Sequence, residues 1–516
     1  MISIVHSISV NGLETTIIDI EVDINNGLPA FTIVWLADTS VQESKERLRS
    51  ALKSSHAKLP TNRITVNLAP ANIKKSGPSF DIPIAIWLLL NEWYVEEEKI
   101  ISESIFLWEL ALDGKLRKVK SVLPATIGAK EKWFKRVFVP EANALEAAII
   151  PGIDVVKVSN LKDLVDMLNW DKELDIQEKE DFYNGGIIDK EEIAYKYDFK
   201  YILGQEHAKR ALEIAAAWGH NIIMDGPPGS GKTMLAKAFS TILPDLTLEE
   251  AIEISKIYSI TGMLSNENPI IRKRPFRVVH HTASAISIIG GGTHAKPGEI
   301  SLAHKWVLFL DEILEFPKTV LEVLRQPLED GNITVTRVNA TYNYPAKFSL
   351  VGAMNPCPCW YLTDPDRDCK CSHTQVKNYR GRLSWPLIDR VDMFIDVPKV
   401  KTEKFTLWEN YESKESSADI KIRIEKARKF QLERFIEYPE ITFNSEMGTK
   451  DINKFCNLDD EGEQILKQAV HTMKLSARSY YRILKLARTI ADLDGNPGIK
   501  SDYILEALSF RKKSEE

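Results

Sequence analysis

At 516 residues, with 44% apolar and 27% charged side chains, the chain has room for about three domains of ~150 residues each, with several buried cores. Its net charge of −6 excludes a uniformly basic nucleic-acid coat. It leaves open a local basic channel, because binding responds to local potential. The longest uninterrupted apolar run, Ile82–Leu90, falls far short of the ~20 residues of a bilayer span, so no membrane contact is expected. The opening Met1-Ile-Ser-Ile-Val lacks the basic region of a signal peptide. Four of the five cysteines fall between 357 and 371, which is metal-site spacing and not a disulfide framework. The expected compartment is the cytoplasm.

In chain order, residues 1–168 alternate β-rich runs (Thr15–Val22, Ala30–Val34, Arg63–Leu68, Arg136–Pro140) with helical ones (Val41–Ser54, Pro124–Lys132). That pattern predicts an α/β or α+β domain. Residues 169–189 read as a charged linker: eight of the eleven positions in 171–181 are charged, and Asn184-Gly185-Gly186 follows. A βα pattern returns over 190–398, with strands expected at Asn221–Met224, Val307–Leu310 and Phe348–Ala353. Residues 399–516 are mostly helical. Ser416-Ser-Ala-Asp419 marks a helix start before Ile420–Phe435.

Gly226-Pro227-Pro228-Gly229-Ser230-Gly231-Lys232-Thr233 fits G-x-x-x-x-G-K-[ST]. An apolar strand precedes it and the helical run Met234–Leu243 follows, so backbone N–H groups can cradle phosphates at a helix N-terminus. Lys232 would reach the β- and γ-phosphates of ATP, and Thr233 would hold Mg²⁺. Val307-Leu-Phe-Leu-Asp311-Glu312 reads as a buried parallel strand ending in two carboxylates. Asp311 would position Mg²⁺ through water and Glu312 would polarise the attacking water. Asn355, at the end of the next strand, is a candidate amide for orienting that water; its plain alternative is a turn residue before Pro356.

Cys357, Cys359, Cys369 and Cys371 form C-x-C-x₉-C-x-C. Four thiolates suit a tetrahedral Zn²⁺; reduced thiols, another metal or a redox pair are the alternatives. Ile333–Arg337 and Thr341–Tyr344 flank a short turn and predict a β-hairpin.

These motifs, with their flanks, resemble the ComM (YifB) family of magnesium-chelatase-like AAA+ ATPases. The further signatures are Gly27-Leu-Pro-Ala-Phe-Thr-Ile-Val34, Val41-Gln-Glu-Ser-Lys-Glu-Arg47, Arg63-Ile-Thr-Val-Asn-Leu-Ala-Pro70, His280-His-Thr-Ala-Ser284, Gly290-Gly-Gly292, Pro297-Gly-Glu-Ile-Ser301, Asn355-Pro-Cys-Pro-Cys359 and Leu475-Ser-Ala-Arg478. The resemblance covers nearly the whole chain. It implies a P-loop AAA+ core at 190–398, a Lon-protease-like (ribosomal S5-like) α/β domain at 1–168 and a helical lid at 399–516. It also implies a homo-oligomeric, hexameric ring that moves DNA and drives branch migration during natural transformation. By motif, Arg390 resembles the arginine finger, completing a neighbour's site, with Arg382 the second choice. Arg478 resembles the sensor arginine of the lid, and Gln205 belongs to the region that packs on adenine. The hairpin carrying Arg337 and the glycine-rich segment Gly290–Gly298, with His294 and Lys296, would face the ring pore and DNA. A chelatase-type motor remodelling a protein partner is the alternative function. Gly77-Pro-Ser79 resembles the serine segment of Lon-type proteases, but Lys115, Lys118 and Lys120 do not sit at an equivalent of the partner lysine.

The composition has one anomaly: 25 glycines against 11 tryptophans. The family pattern has glycine where this chain has Trp35, Trp108, Trp218, Trp306, Trp360 and Trp385, and also at Trp87 and Trp133. Exchanging all eleven brings glycine to 36 of 516, matching ordinary usage of ~7%. The expectation is that UGA codons read as glycine in the source are written here as tryptophan; the alternative is eleven genuine tryptophans.

Overall fold

The computed structural model describes residues 4–34, 44–54, 62–70, 80–91, 95, 98–178, 197–292, 295–337, 340–400, 415–438, 441 and 443–511. Trp35, Val41–Glu43, Gly77-Pro-Ser79, the Asn184-Gly-Gly186 end of the linker and His294 lie outside them, as does the side chain of Arg337. The chain divides into two compact units: residues 1–189 with 247–272, and residues 190–246 with 273–516.

The first unit is built on a seven-stranded mixed sheet. Val5–Asn11 and Glu14–Asn25 form an antiparallel hairpin, and the turn between them uses Gly12 at φ 64°, a left-handed conformation that a Cβ disfavours. Arg63–Ala69 pairs antiparallel with the second strand and parallel with Ala30–Val34. On the other side Ser104–Phe106, Arg136–Pro140 and Asp154–Val158 add parallel strands. The apolar run at 82–90 becomes the helix Asp81–Asn91, which buries Ile82, Ile84 and Ile86 in the core of this sheet. The start of the charged stretch is ordered: Ile176 bridges Val156, and Gln177 N donates to Val155 O at 2.8 Å. Residues 247–272, placed by sequence within the 190–398 segment, cluster with this unit. Their helix Leu248–Thr261 is capped by Thr247 and Glu250, and Ser259 Oγ donates to Glu146 Oε1 at 2.6 Å.

The second unit holds a five-stranded, all-parallel sheet in the order Phe276–Val279, Trp306–Leu310, Phe348–Met354, Ile222–Asp225, Met393–Asp396. Trp306–Leu310 and Phe348–Met354 are almost entirely buried, as apolar strands covered on both faces must be. Ile222 pairs with Val351 on one side and Met393 on the other, which places the P-loop strand at the switch point of an open α/β sheet. The strands Phe276–Val279 and Met393–Asp396 escape sequence reading. Four residues at a sheet edge give no measurable periodicity. The expected hairpin is present as Asn332–Arg337 paired with Ala340–Pro345. Beyond residue 415 the chain is helical. Ser417–Arg434 starts at the Ser416/Asp419 capping box and buries Ile420, Ile424 and Ala427.

Six of the tryptophans sit poorly. Trp133, Trp170 and Trp360 have φ of 65°, 61° and 72°, a region that costs an L-residue ~1–2 kcal/mol. Trp133 and Trp170 lie just past the helices Val122–Glu131 and Leu161–Leu168, where glycine is the usual cap. The buried indole N–H groups of Trp108, Trp218 and Trp306 have no hydrogen-bond partner among the described residues, although a buried indole normally finds one.

Candidate nucleotide site

The turn at Gly226 admits no side chain, since a Cβ there would lie 2.2 Å from Val397 O. Gly229 and Gly231 take φ of 76° and 94°. They turn the chain so that Lys232 begins an eight-residue helix with its N-terminal N–H groups facing the loop. Lys232 Nζ lies 2.5 Å from Gly226 O, 3.0 Å from Pro227 O and 3.3 Å from Asn355 Oδ1. Burial pushes this ammonium below its ordinary pKa, against the pull of Asp225, Asp311 and Glu312. Thr233 Oγ1 donates to Asp311 Oδ2 at 3.0 Å, so the two candidate Mg²⁺ ligands are already adjacent. A divalent cation would sit between these hard oxygens.

Lys232, Thr233, Asp311, Glu312 and Asn355 line one cavity together with Pro228, Gly229, Ser230 and Gly231. Five strand-end or helix-start residues from three neighbouring elements therefore converge. Glu312 has φ of 51°, so the chain turns sharply there and the carboxylate leaves the strand line. Trp360 also lines the cavity.

Arg390 and Arg478 are not among the described residues lining that cavity. They meet each other elsewhere, both ion-paired to Glu329. Arg390 is nearly buried, and desolvation by its surroundings, then the neighbouring Arg478, Arg325 and Arg482, hold its pKa below the ordinary value. Arg382 binds Leu314 O and Glu315. Gln205 stands at the N-terminal end of the helix Glu206–Trp218 without a side-chain cap bond, and its Nε2 donates to Pro398 O at 2.5 Å; it is not among the described residues lining the cavity either. Sequence reading missed Arg380, whose Nε donates to Pro356 O at 3.1 Å and whose Nη2 lies 3.5 Å from Asp225. That cation braces both strand ends flanking the loop. It also missed Glu329, and gave no role to His281 within the His280–Ser284 signature. No motif surrounds Arg380 or Glu329, and their partners are distant in sequence.

The four cysteines of the predicted cluster come together. Cys357 Sγ lies 3.4 Å from Cys359 Sγ and 3.7 Å from Cys369 Sγ, the latter two are 3.5 Å apart, and Cys371 completes the group. Tetrahedral zinc with Zn–S of ~2.3 Å needs sulfurs roughly 3.8 Å apart, so the donor set fits Zn²⁺. Hydrogen bonding from the Tyr361 N–H brings the Cys359 thiol down to about 6, while desolvation pushes Cys371 up to about 12, so the fit to a metal rests on the spacing of the sulfurs. The cluster starts two residues beyond Asn355, so it would brace the strand end carrying that amide.

No helix among the described residues is long and apolar enough to cross a membrane. The chain matches the family model for magnesium chelatase, subunit ChlI, over residues 198–405, a second model for subunit ChlI of Mg-chelatase over 20–143, and the ChlI C-terminal model over 414–511. It is 40% identical over 516 residues to the competence protein ComM of Haemophilus influenzae, covering 99% of this chain and 97% of the relative. It is 38% identical over 510 residues to YifB of Escherichia coli, again covering 99% and 97%. A magnesium-chelatase subunit ChlI homolog of Methanocaldococcus jannaschii is 22% identical over 353 residues, covering 61% of this chain and 84% of that one. An all-parallel P-loop sheet, an assembled acidic pair and full-length similarity agree: the chain belongs to the ComM/YifB-like magnesium-chelatase family of AAA+ proteins.

Proposed function

We propose that the chain is an ATP-hydrolysing DNA motor that works as a homo-oligomeric, hexameric ring and drives branch migration during uptake-linked recombination. The observation that carries this is the cavity joining Lys232, Thr233, Asp311, Glu312 and Asn355 while Arg390 and Arg478 are paired outside it. One chain then holds most of an ATPase site, and a neighbouring copy supplies the arginines. Water attacks the γ-phosphorus, its proton passes to Glu312, and the bond to the β-phosphate oxygen breaks with its electron pair leaving on ADP. Lys232 and the loop N–H groups hold the phosphates, and Asn355 orients the water. Mg²⁺, held through Thr233 and Asp311, neutralises phosphate charge when bound. Arg390 and Arg478 from the neighbour stabilise the charge of the transition state. Zn²⁺ on the four cysteines is structural. The 1–168 segment is a non-proteolytic, Lon-like domain, and Gln205 contributes at the adenine end of the site.

Full-length similarity to a competence protein supports the DNA reading. Similarity to a magnesium-chelatase subunit supports the second, remodelling of a protein partner. The test is ATP hydrolysis with and without branched DNA, beside junction migration, with Lys232→Ala as control. DNA-stimulated hydrolysis that weakens with rising salt supports the motor. Lys232-dependent hydrolysis with neither DNA stimulation nor junction movement would favour the remodelling reading.

A further inference from the structure

Arg390 has three other arginines close enough to repel its charge: Arg478, Arg325 and Arg482. Carboxylates divide these cations unequally. Arg325 Nη1 lies 2.6 Å from Glu322 Oε2, and Arg482 Nη1 lies 2.5 Å from Asp392 Oδ1. Arg390 and Arg478 share Glu329, one on each carboxylate oxygen. Two cations on one anion leave a surplus positive charge at that spot. Arg390 Nη1 donates to Pro386 O at 2.6 Å, while its buried Nε has no hydrogen-bond partner among the described residues. A guanidinium carries five N–H donors and no acceptor, so the pair keeps donors for a further anion.

The main chain around the pair is fastened without Glu329. Arg390 O accepts from Arg482 Nη1 at 2.7 Å and from Asn221 Nδ2 at 2.9 Å. Ser476 Oγ and Ser479 Oγ each donate to Asp389 Oδ1 at 3.2 Å, and Arg511 Nη1 donates to Val391 O at 2.9 Å. The helix Ala477–Leu493 and its cap Ser476 supply three of these donors, and Arg478 is the second residue of that helix. The backbone bearing Arg390 and the helix bearing Arg478 are thus joined. What the joint leaves open is the aim of two long side chains, each with large rotamer freedom. Glu329 stands in the last turn of the helix Arg325–Asp330, which Gly331 closes at φ 66°. Gly331 N donates to Pro327 O at 3.0 Å, and Ala346 N donates to Gly331 O at 2.7 Å. The carboxylate is therefore presented from a fixed turn, and it holds together two like charges that repel each other.

We propose that Glu329 is a positioning residue for hydrolysis in the adjoining subunit: it presets Arg390 and Arg478 side by side, so that both meet the neighbour's γ-phosphate together. The phosphate brings more negative charge than one carboxylate and accepts from the N–H groups that Glu329 leaves unused. The inference rests on the reading of an ATPase completed in trans and adds the residue that aims its arginines.

The experiment measures steady-state ATP hydrolysis by full-length wild type, Glu329→Gln, Glu329→Asp, Arg390→Ala and Lys232→Ala, alone and in equal pairwise mixtures, with assembly followed by light scattering. Glu329→Gln should lower kcat by ~10²-fold, as expected of a misaimed catalytic group, with KM for ATP near wild type because the arginines act on the transition state. Glu329→Asp keeps the charge and recovers part of kcat. Mixed with Lys232→Ala, Glu329→Gln regains activity, since some interfaces then pair an intact loop with correctly aimed arginines. Mixed with Arg390→Ala it regains none, because both variants damage the same half of the interface. An unchanged or raised kcat in Glu329→Gln overturns the inference, as does recovery with Arg390→Ala. So does failure to recover with Lys232→Ala when Arg390→Ala does recover with it, which would mark Glu329 as needed only for folding or assembly. Wild type without Lys232-dependent hydrolysis, or Arg390→Ala that never recovers with Lys232→Ala, overturns the underlying reading and this inference with it.

Discussion

Trp133 is the clearest single-residue misfit: φ is 65° and the side chain is 91% exposed. It gains little from burial and carries the cost of a left-handed backbone. Trp133→Gly is expected to raise stability by about 1 kcal/mol, the usual penalty for an L-residue in that region, read as a higher urea midpoint at unchanged m-value. A lower midpoint would show that tryptophan belongs there, and UGG codons at these positions in the gene would sink the recoding idea outright. Trp360 combines a φ of 72° with a place beside the nucleotide cavity, so Trp360→Gly should also lower the KM for ATP if the indole crowds the phosphates. The glycine deficit was legible from composition. Which tryptophans strain the chain was not, because strain depends on φ, and φ at a helix end is set by what the next segment packs against.

At the scale of elements, two devices hold the strand ends in place. The first is the cysteine cluster beyond the Phe348–Met354 strand. Purified protein should carry about one Zn²⁺ per chain, and Cys369→Ser should lose it and weaken hydrolysis by displacing Asn355. Metal content by mass spectrometry decides; full occupancy in the variant would rule out this ligand set. The second anchors the helix Ala477–Leu493 to the start of Met393–Asp396. Arg482 Nη1 lies 2.5 Å from Asp392 Oδ1, and His220 Nδ1 lies 3.4 Å from Asp392 Oδ2. Burial alone would raise the Asp392 pKa, but Arg482 and His220 hold it well below the ordinary carboxylate value. With the folded value depressed, this stabilisation is complete above the unfolded pKa of ~3.9 and is lost as pH falls through the folded value. Arg482→Leu strands a buried carboxylate and should cost ~3–5 kcal/mol, with the loss shrinking in acid as Asp392 is protonated. An effect independent of pH would mean the arginine acts through packing alone. The cluster could be read from its spacing, whereas Arg482 and Asp392 are 90 residues apart and only the fold joins them.

For the whole molecule, the decisive geometry is that Glu329 gathers Arg390 and Arg478 while neither lines the P-loop cavity. If a neighbour uses these arginines, Arg390→Ala should lower kcat by ~10³-fold or more although its own P-loop is intact. Mixing Arg390→Ala with Lys232→Ala should then restore part of the activity, because some interfaces pair an intact loop with an intact arginine. Mixtures no more active than the separate variants would place the arginine in its own chain's site.

The local motifs needed no fold to be read. Gly226–Thr233, Asp311-Glu312, the cysteine spacing and the Ser416 cap are each contiguous or nearly so, and their chemistry follows from residue order and strand or helix period. Tertiary structure decided what depends on separation in space. It showed that residues 247–272 belong with the N-terminal unit, that short edge strands complete the parallel sheet, and that Arg390 and Arg478 share a carboxylate. It also showed that a histidine from one strand end meets the glutamate of the next. The physical reason is the same in each case: these pairings lie between residues tens to hundreds of positions apart, and only close packing of a parallel sheet and its helices brings them within a hydrogen bond's reach.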